Sequence, residues 1–118
     1  MAAKWHMKRG EVWTLQDRNY ASKARPVVII QSDETQFESV ILCLLTTFNS
    51  ENIHTRVKII PTDKNGLEKI SYVMTEKIVT VEKTMLGKCI GNLTSNEMCC
   101  IASKLAILLE IHKSNIEN

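Results

Sequence analysis

Two short apolar runs constrain the fold more than any other feature of this sequence. Residues 27–30 are four consecutive β-branched side chains, and residues 40–45 are six consecutive apolar ones. Runs of this length and composition are typical of strands that are covered on both faces. Pro26 is tolerated at the first position of a strand, and it favours an extended conformation for the preceding Arg25. We therefore expect two central strands whose polar neighbours lie where the core ends.

Weaker strand patterns surround these runs, and a helical pattern follows them. We expect a half-buried strand at 9–16 and a strand with one solvent-exposed face at 55–60. Short strands are expected at 71–74, 78–81 and 88–93. Thr94 and Glu97 have capping-box spacing, and apolar residues then recur every three or four positions as far as His112. This order predicts a β-rich α+β fold, a small partly closed barrel with a C-terminal amphipathic helix.

Composition limits the domain organisation and the cellular setting. The 118 residues are 44% hydrophobic, which suits one globular domain, and no apolar run approaches the roughly twenty residues that span a bilayer. We expect a flexible leader at 1–7, the domain at 8–113 and a frayed tail at 114–118. The N-terminus shows no secretory pattern. The expected location is the cytoplasm, with no membrane association.

Several classes of site are disfavoured by what the sequence lacks. The four cysteines form no CxxC motif and no Cys–His pair with zinc spacing, so we expect buried or idle thiols, with no metal and no cofactor. Phosphate-binding glycine motifs, HExxH and GxSxG do not occur. The three histidines are far apart, and of these only His54 is a candidate for approaching a phosphate.

Charge is distributed unevenly along the chain. Residues 1–25 carry six basic and two acidic side chains, residues 31–55 carry four acidic and no basic ones, and residues 56–93 carry seven basic and four acidic ones. If the first and third segments fold onto one face, that face suits a polyanion. The alternative is scattered solvated charge, and charge alone does not separate the two.

Two positions at the ends of the apolar runs stand out chemically. Arg25 opens one central strand, and a guanidinium there needs a carboxylate or phosphate for its donors. Thr46 and Thr47 follow the other run, where hydroxyls can donate to an oxyanion. If the strands are neighbours, these groups converge on one edge. The alternative pairs Arg25 with Glu76 or with Asp33 and leaves both threonines as ordinary strand residues.

Five blocks in the same order resemble the MazF/PemK family of toxin endoribonucleases. They are RGEVW (9–13), RPVVIIQSD (25–33), LTT (45–47), TEKIVTV (75–81) and LGKCIGNL (86–93). The resemblance implies an SH3-like barrel with a terminal helix, and a homodimer that cleaves single-stranded RNA at specific sequences without metal. It also implies inhibition by a cognate antitoxin. The sequence departs from the family pattern at Met74, Lys77 and Val79.

Site residues follow from the resemblance. It implies that Arg25 and Thr46 are catalytic and that Glu76 occupies an acidic position linked to RNA contact or catalysis. The substrate-binding candidates are Arg18, Asn19, Lys23, Gln31, Thr47, His54, Arg56 and Lys77. Two other functions remain open. One is a protein of the related CcdB type, which binds DNA gyrase without catalysis, and the other is an inactive RNA-binding relative.

The implied chemistry assigns three tasks. Without a metal, the 2′-OH of the RNA attacks the adjacent phosphate and leaves a 2′,3′-cyclic phosphate and a 5′-OH. Arg25 can clamp two phosphate oxygens, and Thr46 can donate to the same oxygens. Glu76 is the candidate base for the 2′-OH, and it would need partial burial to be effective near neutral pH.

Overall fold

A computed structural model describes residues 6–16 and 24–111 of the chain. These residues form six strands, a short 3₁₀ turn at Lys83–Met85 and one helix. The strands are β1 (Glu11–Leu15), β2 (Arg25–Ile29), β3 (Ser39–Thr46), β4 (Val57–Ile59), β5 (Ser71–Glu82) and β6 (Leu86–Asn92). The helix, α1, is Ser95–Leu109. The architecture is therefore the β-rich α+β class that the sequence predicts.

The strands form a single antiparallel sheet in the order β4-β5-β3-β2-β1-β6. The ladder is not closed between its outer strands, β4 and β6. The loop after β4 spans that gap, since the Asn92 amide donates to the Lys64 carbonyl at 2.8 Å. Glycine permits this approach, because a Cβ at Gly91 would lie 2.2 Å from the same carbonyl oxygen. Closure of the predicted barrel thus depends on a loop contact, and the sheet itself stays open.

The two central strands are buried on both faces, as their apolar runs predict. Val28 and Cys43 face one cluster, which also contains Ile101 of the helix. Val27 and Leu42 face a second cluster on the other side of the sheet. That second cluster includes Met7, which is 1% exposed. The predicted leader at 1–7 is therefore wrong at Met7, because an unbranched apolar side chain there completes the core.

Strand β5 corrects the prediction of two short strands. Its twelve residues form one strand, and the irregularity lies in its pairing with β3. Cys43 pairs with Ile78, whereas Leu45 pairs with Val73, so the four residues 74–77 of β5 stand opposite Leu44 alone, and three of them are extra. Extra residues of this kind leave their side chains out of the regular alternation. The polar pair Glu76–Lys77, which the prediction left between two strands, therefore lies within a continuous strand.

The capping box of helix α1 is present as the sequence predicts. The Thr94 hydroxyl accepts from the Glu97 amide at 3.1 Å, and the Glu97 carboxylate accepts from the Thr94 amide at 2.8 Å. The predicted apolar face does not hold to its end, because Leu108 and Leu109 are exposed. Only the first turns of the helix pack on the sheet. His112 and the tail at 114–118 lie outside the described residues.

No helix among the described residues is long and apolar enough to cross a membrane.

Candidate active site

The strand register places four polar residues side by side across the sheet. Strand β2 pairs with β3 from Val27 opposite Leu44, and continuing this register by two residues puts Arg25 level with Thr46. Thr46 in turn lies opposite Tyr72, and Tyr72 lies opposite Lys58. Residues that face each other in this way share a face of the sheet, with Cβ atoms about 5 Å apart. We call Arg25, Thr46, Tyr72 and Lys58 the polar row.

Thr46 is held with its hydroxyl hydrogen available. Its Oγ1 accepts a hydrogen bond from the Phe48 amide at 3.1 Å, which fixes the oxygen at the end of β3. A hydroxyl can accept and donate at once. No described residue accepts the hydrogen of this hydroxyl. Thr46 can therefore donate to a ligand that lies against the polar row.

A carboxylate joins the other end of the polar row. Tyr72 donates its hydroxyl to Oε2 of Glu51 at 2.8 Å, and the Lys58 ammonium lies 2.9 Å from the same oxygen. The hydrogen bond from Lys58, and then that from Tyr72, lowers the pKa of Glu51 below its ordinary value. Sequence reasoning missed these residues, because the strand register brings Tyr72 and Lys58 together and long-range contacts then bring Glu51 to them.

The comparisons with known proteins decide the family. Residues 8–109 match the family model described as the PemK-like, MazF-like toxin of type II toxin–antitoxin systems. The chain belongs to this toxin family. The toxin is also 34% identical over 107 residues to a probable endoribonuclease MazF of Mycolicibacterium smegmatis. That match covers 89% of this chain and 98% of the relative.

Solved structures show the same fold as the toxin. An endoribonuclease in complex with its cognate antitoxin, from a mycobacterial species, is 28% identical with a TM-score of 0.73, covering 89% of this chain and 96% of that one. A Mycobacterium tuberculosis MazF toxin has a TM-score of 0.73 at 22% identity, covering 86% and 98%. At 22% identity, the similarity to this second structure shows a shared fold only.

Glu76, the predicted base, is engaged elsewhere in the toxin. Arg56 donates to it through Nε, 3.0 Å from Oε2 and 3.4 Å from Oε1, and through a second nitrogen to Oε2. This pairing lowers the pKa of Glu76 and engages its carboxylate within the chain. The register also puts Tyr72, not Glu76, opposite Thr46. The structure therefore pairs Glu76 with Arg56 and leaves its catalytic role without geometric support.

Gln31, a predicted substrate-binding residue, lies far from the polar row. It is six residues beyond Arg25 along the direction of β2, or about 20 Å at ~3.3 Å per residue. Its side chain accepts from the Ile41 amide at 3.0 Å and donates to the Thr35 carbonyl at 2.8 Å. These bonds hold the turn between β2 and β3. The structure thus gives Gln31 a structural role.

The other predicted binding residues divide into two groups. Thr47, His54 and Lys77 are all exposed. Thr47 follows Thr46 directly, His54 lies in the loop before β4, and Lys77 lies in the irregularly paired part of β5. Arg18, Asn19 and Lys23 lie outside the described residues.

The described cysteines add little to the site. No three His, Cys, Asp or Glu side chains in the described part of the chain are grouped so as to hold a metal ion. Burial, and then the charge of Glu76, raises the pKa of Cys43 to about 11. A thiol with that pKa stays neutral and behaves as a small apolar side chain.

Proposed function

We propose that this toxin is an endoribonuclease that cleaves single-stranded RNA, mRNA above all, at specific sequences and without a metal. The observation that carries the proposal is the alignment of Arg25 with Thr46 across neighbouring strands. A guanidinium and a hydroxyl at that separation can bind one phosphate together. The relative named as a probable endoribonuclease, matched over nearly its full length, supports the same activity.

The proposed reaction is an internal transfer at phosphorus. The 2′-oxygen loses its proton and forms a bond to the phosphorus atom, and the bond from phosphorus to the 5′-oxygen breaks. Arg25 holds two non-bridging oxygens while negative charge accumulates on them, and Thr46 donates a hydrogen bond to the same group. Arg25 acts as an electrostatic clamp, because its pKa above about 12 makes it a poor proton donor.

The proposed substrate is single-stranded because bases must be splayed out of a helix to be read on their edges. Binding is assisted by the exposed Thr47, His54 and Lys77 and by Arg18, Asn19 and Lys23. The toxin acts in the cytoplasm, where mRNA is found, as a homodimer that a cognate antitoxin inhibits. A mycobacterial relative with its cognate antitoxin bound supports that partnership. Strongly exposed apolar side chains, such as Phe48 and Ile111, also suit protein contacts.

The decisive experiment is cleavage of a long single-stranded RNA in the presence of EDTA. We expect cuts with 2′,3′-cyclic phosphate ends, and we expect a 2′-deoxy nucleotide at the cut site to block them. Arg25→Ala should slow cleavage about a hundred- to a thousandfold. Lys88→Ala, which removes an exposed positive charge on β6, should change the rate less than threefold.

Two results would contradict the proposal. If the wild type leaves RNA intact and inhibits DNA gyrase, the protein is a binding toxin of the CcdB type. If the 2′-deoxy substrate is cut as fast as RNA, the mechanism is wrong even though the nuclease activity stands.

A further inference from the structure

The proposed reaction needs a group that takes the proton from the 2′-OH. Glu76 is not suited to this, because Arg56 engages both of its oxygens. Thr46 is a hydroxyl and Lys58 is a cation, so neither is a base at neutral pH. Of the described side chains in or bound to the polar row, Glu51 alone carries negative charge.

We propose that Glu51 is the general base, and that Tyr72 and Lys58 position it beside the phosphate held by Arg25 and Thr46. The inference rests on the proposed function and deepens it. It makes Glu51 a catalytic residue, and it makes Tyr72 and Lys58 positioning residues that act through Glu51.

The hydrogen bonds of Glu51 leave one of its oxygens for the reaction. The Tyr72 hydroxyl and the Lys58 ammonium both contact Oε2, at 2.8 and 2.9 Å. No described residue donates to Oε1. A carboxylate anchored through one oxygen keeps a fixed orientation while its other oxygen accepts a proton. The side chain of Glu51 is 56% exposed, so a substrate can reach it.

Tyr72 links this carboxylate to the phosphate-binding pair. Tyr72 is only 4% exposed, so packing fixes its ring, and it lies directly opposite Thr46. The hydroxyl at the tip of that ring then fixes Glu51 in turn. Tyr72 therefore connects the proposed base to the strand position opposite Thr46.

The proton and the bonding electrons balance in this step. The 2′-OH gives its proton to Oε1 of Glu51, and its oxygen forms the new bond to phosphorus. The bond from phosphorus to the 5′-oxygen breaks, and that oxygen leaves with a proton from water. Glu51 then returns its proton to the solvent.

The electrostatic surroundings keep Glu51 ionised. Lys58 faces it from β4 and the Tyr72 hydroxyl faces it from β5. Arg56, which pairs with Glu76, also donates to the hydroxyl of the neighbouring Ser50 at 3.0 Å. Because Lys58 and Tyr72 lower its pKa, the carboxylate is fully charged at neutral pH. Removing either partner should raise that pKa.

The first test replaces the proposed base with its amide. Glu51→Gln should lower kcat on single-stranded RNA about a hundred- to ten-thousandfold with little change in KM. Glu82→Gln is the matched control, because it makes the same exchange at the far end of β5, and its kcat should stay within twofold. Thermal unfolding of each variant checks that the fold is intact.

The second test uses the pH profile, which a purely structural role would not change. In wild type, kcat/KM should fall at acidic pH as Glu51 becomes protonated. Tyr72→Phe and Lys58→Met each remove a hydrogen bond that favours the charged carboxylate, so each should move this acidic limb to higher pH. The test stands even if Glu51→Gln fails to fold.

The outcomes separate this inference from the proposed function. If wild type cuts RNA, Arg25→Ala does not, and folded Glu51→Gln cuts as fast as wild type, Glu51 is not the base while the function stands. An acidic limb that stays in place in Tyr72→Phe and Lys58→Met also overturns the inference. If wild type cuts no RNA, the proposed function itself fails.

Discussion

Two carboxylates near one edge of the sheet differ in how their oxygens are used. Arg56 donates to both oxygens of Glu76, and the same guanidinium also donates to Ser50. Glu51 receives both of its donors on a single oxygen. Both oxygens of Glu76 are therefore engaged by Arg56, Oε1 only through a long contact, whereas Glu51 keeps one oxygen without a donor among the described residues.

The difference separates structural from reactive groups. A charged group whose hydrogen-bonding capacity is satisfied contributes to stability, and engaging a substrate would first require breaking those bonds. A group that is anchored but only partly satisfied is already oriented and can react without that cost. By this criterion the polar row and Glu51 form the reactive side of the toxin, whereas the Arg56–Glu76 pair stabilises the fold.

Beyond the test of Glu51 itself, the largest expected effect lies on the reactive side, at Thr46. Thr46→Val keeps the branched shape and removes the hydroxyl, so cleavage of single-stranded RNA should slow about a hundred- to a thousandfold. Thr80→Val is the matched control, because this exposed threonine lies opposite Ile41, away from the row, and its rate should stay within threefold. Equal losses in the two variants would show that the register does not define the site.

The next effect lies on the supporting side, at Arg56. Arg56→Met leaves Glu76 without its donor and removes a hydrogen bond from Ser50, which is 1% exposed. We expect a loss of about 1–2 kcal/mol in the free energy of unfolding, measured with urea. The cleavage rate at a temperature where the variant is folded should fall less than tenfold. A much larger loss of rate with unchanged stability would place Arg56 in contact with substrate.

Much of the fold could be predicted from the sequence because local patterns determine it. The apolar runs at 27–30 and 40–45 predict strands covered on both faces, and both are. Thr94 and Glu97 predict the start of the helix correctly, because a capping box depends on residues only three apart. The division of β5 was wrong, since the polar Glu76 and Lys77 interrupt the local apolar pattern, and the partner of Glu76, Arg56, lies twenty positions earlier.

The candidate site could be predicted only in part for the same reason. Arg25 and Thr46 stand out because each ends an apolar run, and the strands that carry them are neighbours. Glu51 and Tyr72 are joined by a hydrogen bond between residues 21 positions apart, and no local pattern marks it. Register is set by long-range pairing, so a sequence without its structure does not show which residues stand opposite one another.

A smaller effect is expected at Gln31, at the other end of the sheet. Gln31→Ala removes the acceptor of the Ile41 amide and the donor to Thr35, which hold the turn after β2. The free energy of unfolding should fall by about 1 kcal/mol. RNA cleavage should be unchanged within twofold, measured on the same substrate. A loss of RNA affinity without a loss of stability would return Gln31 to the substrate-binding residues.

The smallest effect is expected for Glu76→Gln, and its pH dependence is the sharpest test of the two carboxylates. Arg56 holds the pKa of Glu76 below its ordinary value in the folded toxin, so the pair stabilises the fold above the unfolded-state pKa. That stabilisation is lost as pH falls through the folded-state pKa. Because the carboxylate is about one-third exposed, the difference in unfolding free energy between wild type and variant should not exceed about 1 kcal/mol at pH 7.

This difference should shrink toward zero in acid, measured by urea unfolding between pH 7 and pH 3, while cleavage at pH 7 stays within threefold. Glu51→Gln should show the reverse, a large loss of rate with little loss of stability, because an exposed carboxylate that keeps one oxygen unused contributes more to the reaction than to the fold. If Glu76→Gln abolishes cleavage and Glu51→Gln does not, the Arg56–Glu76 pair must open when substrate binds. Glu76 is then the base, and Glu51 has the structural role.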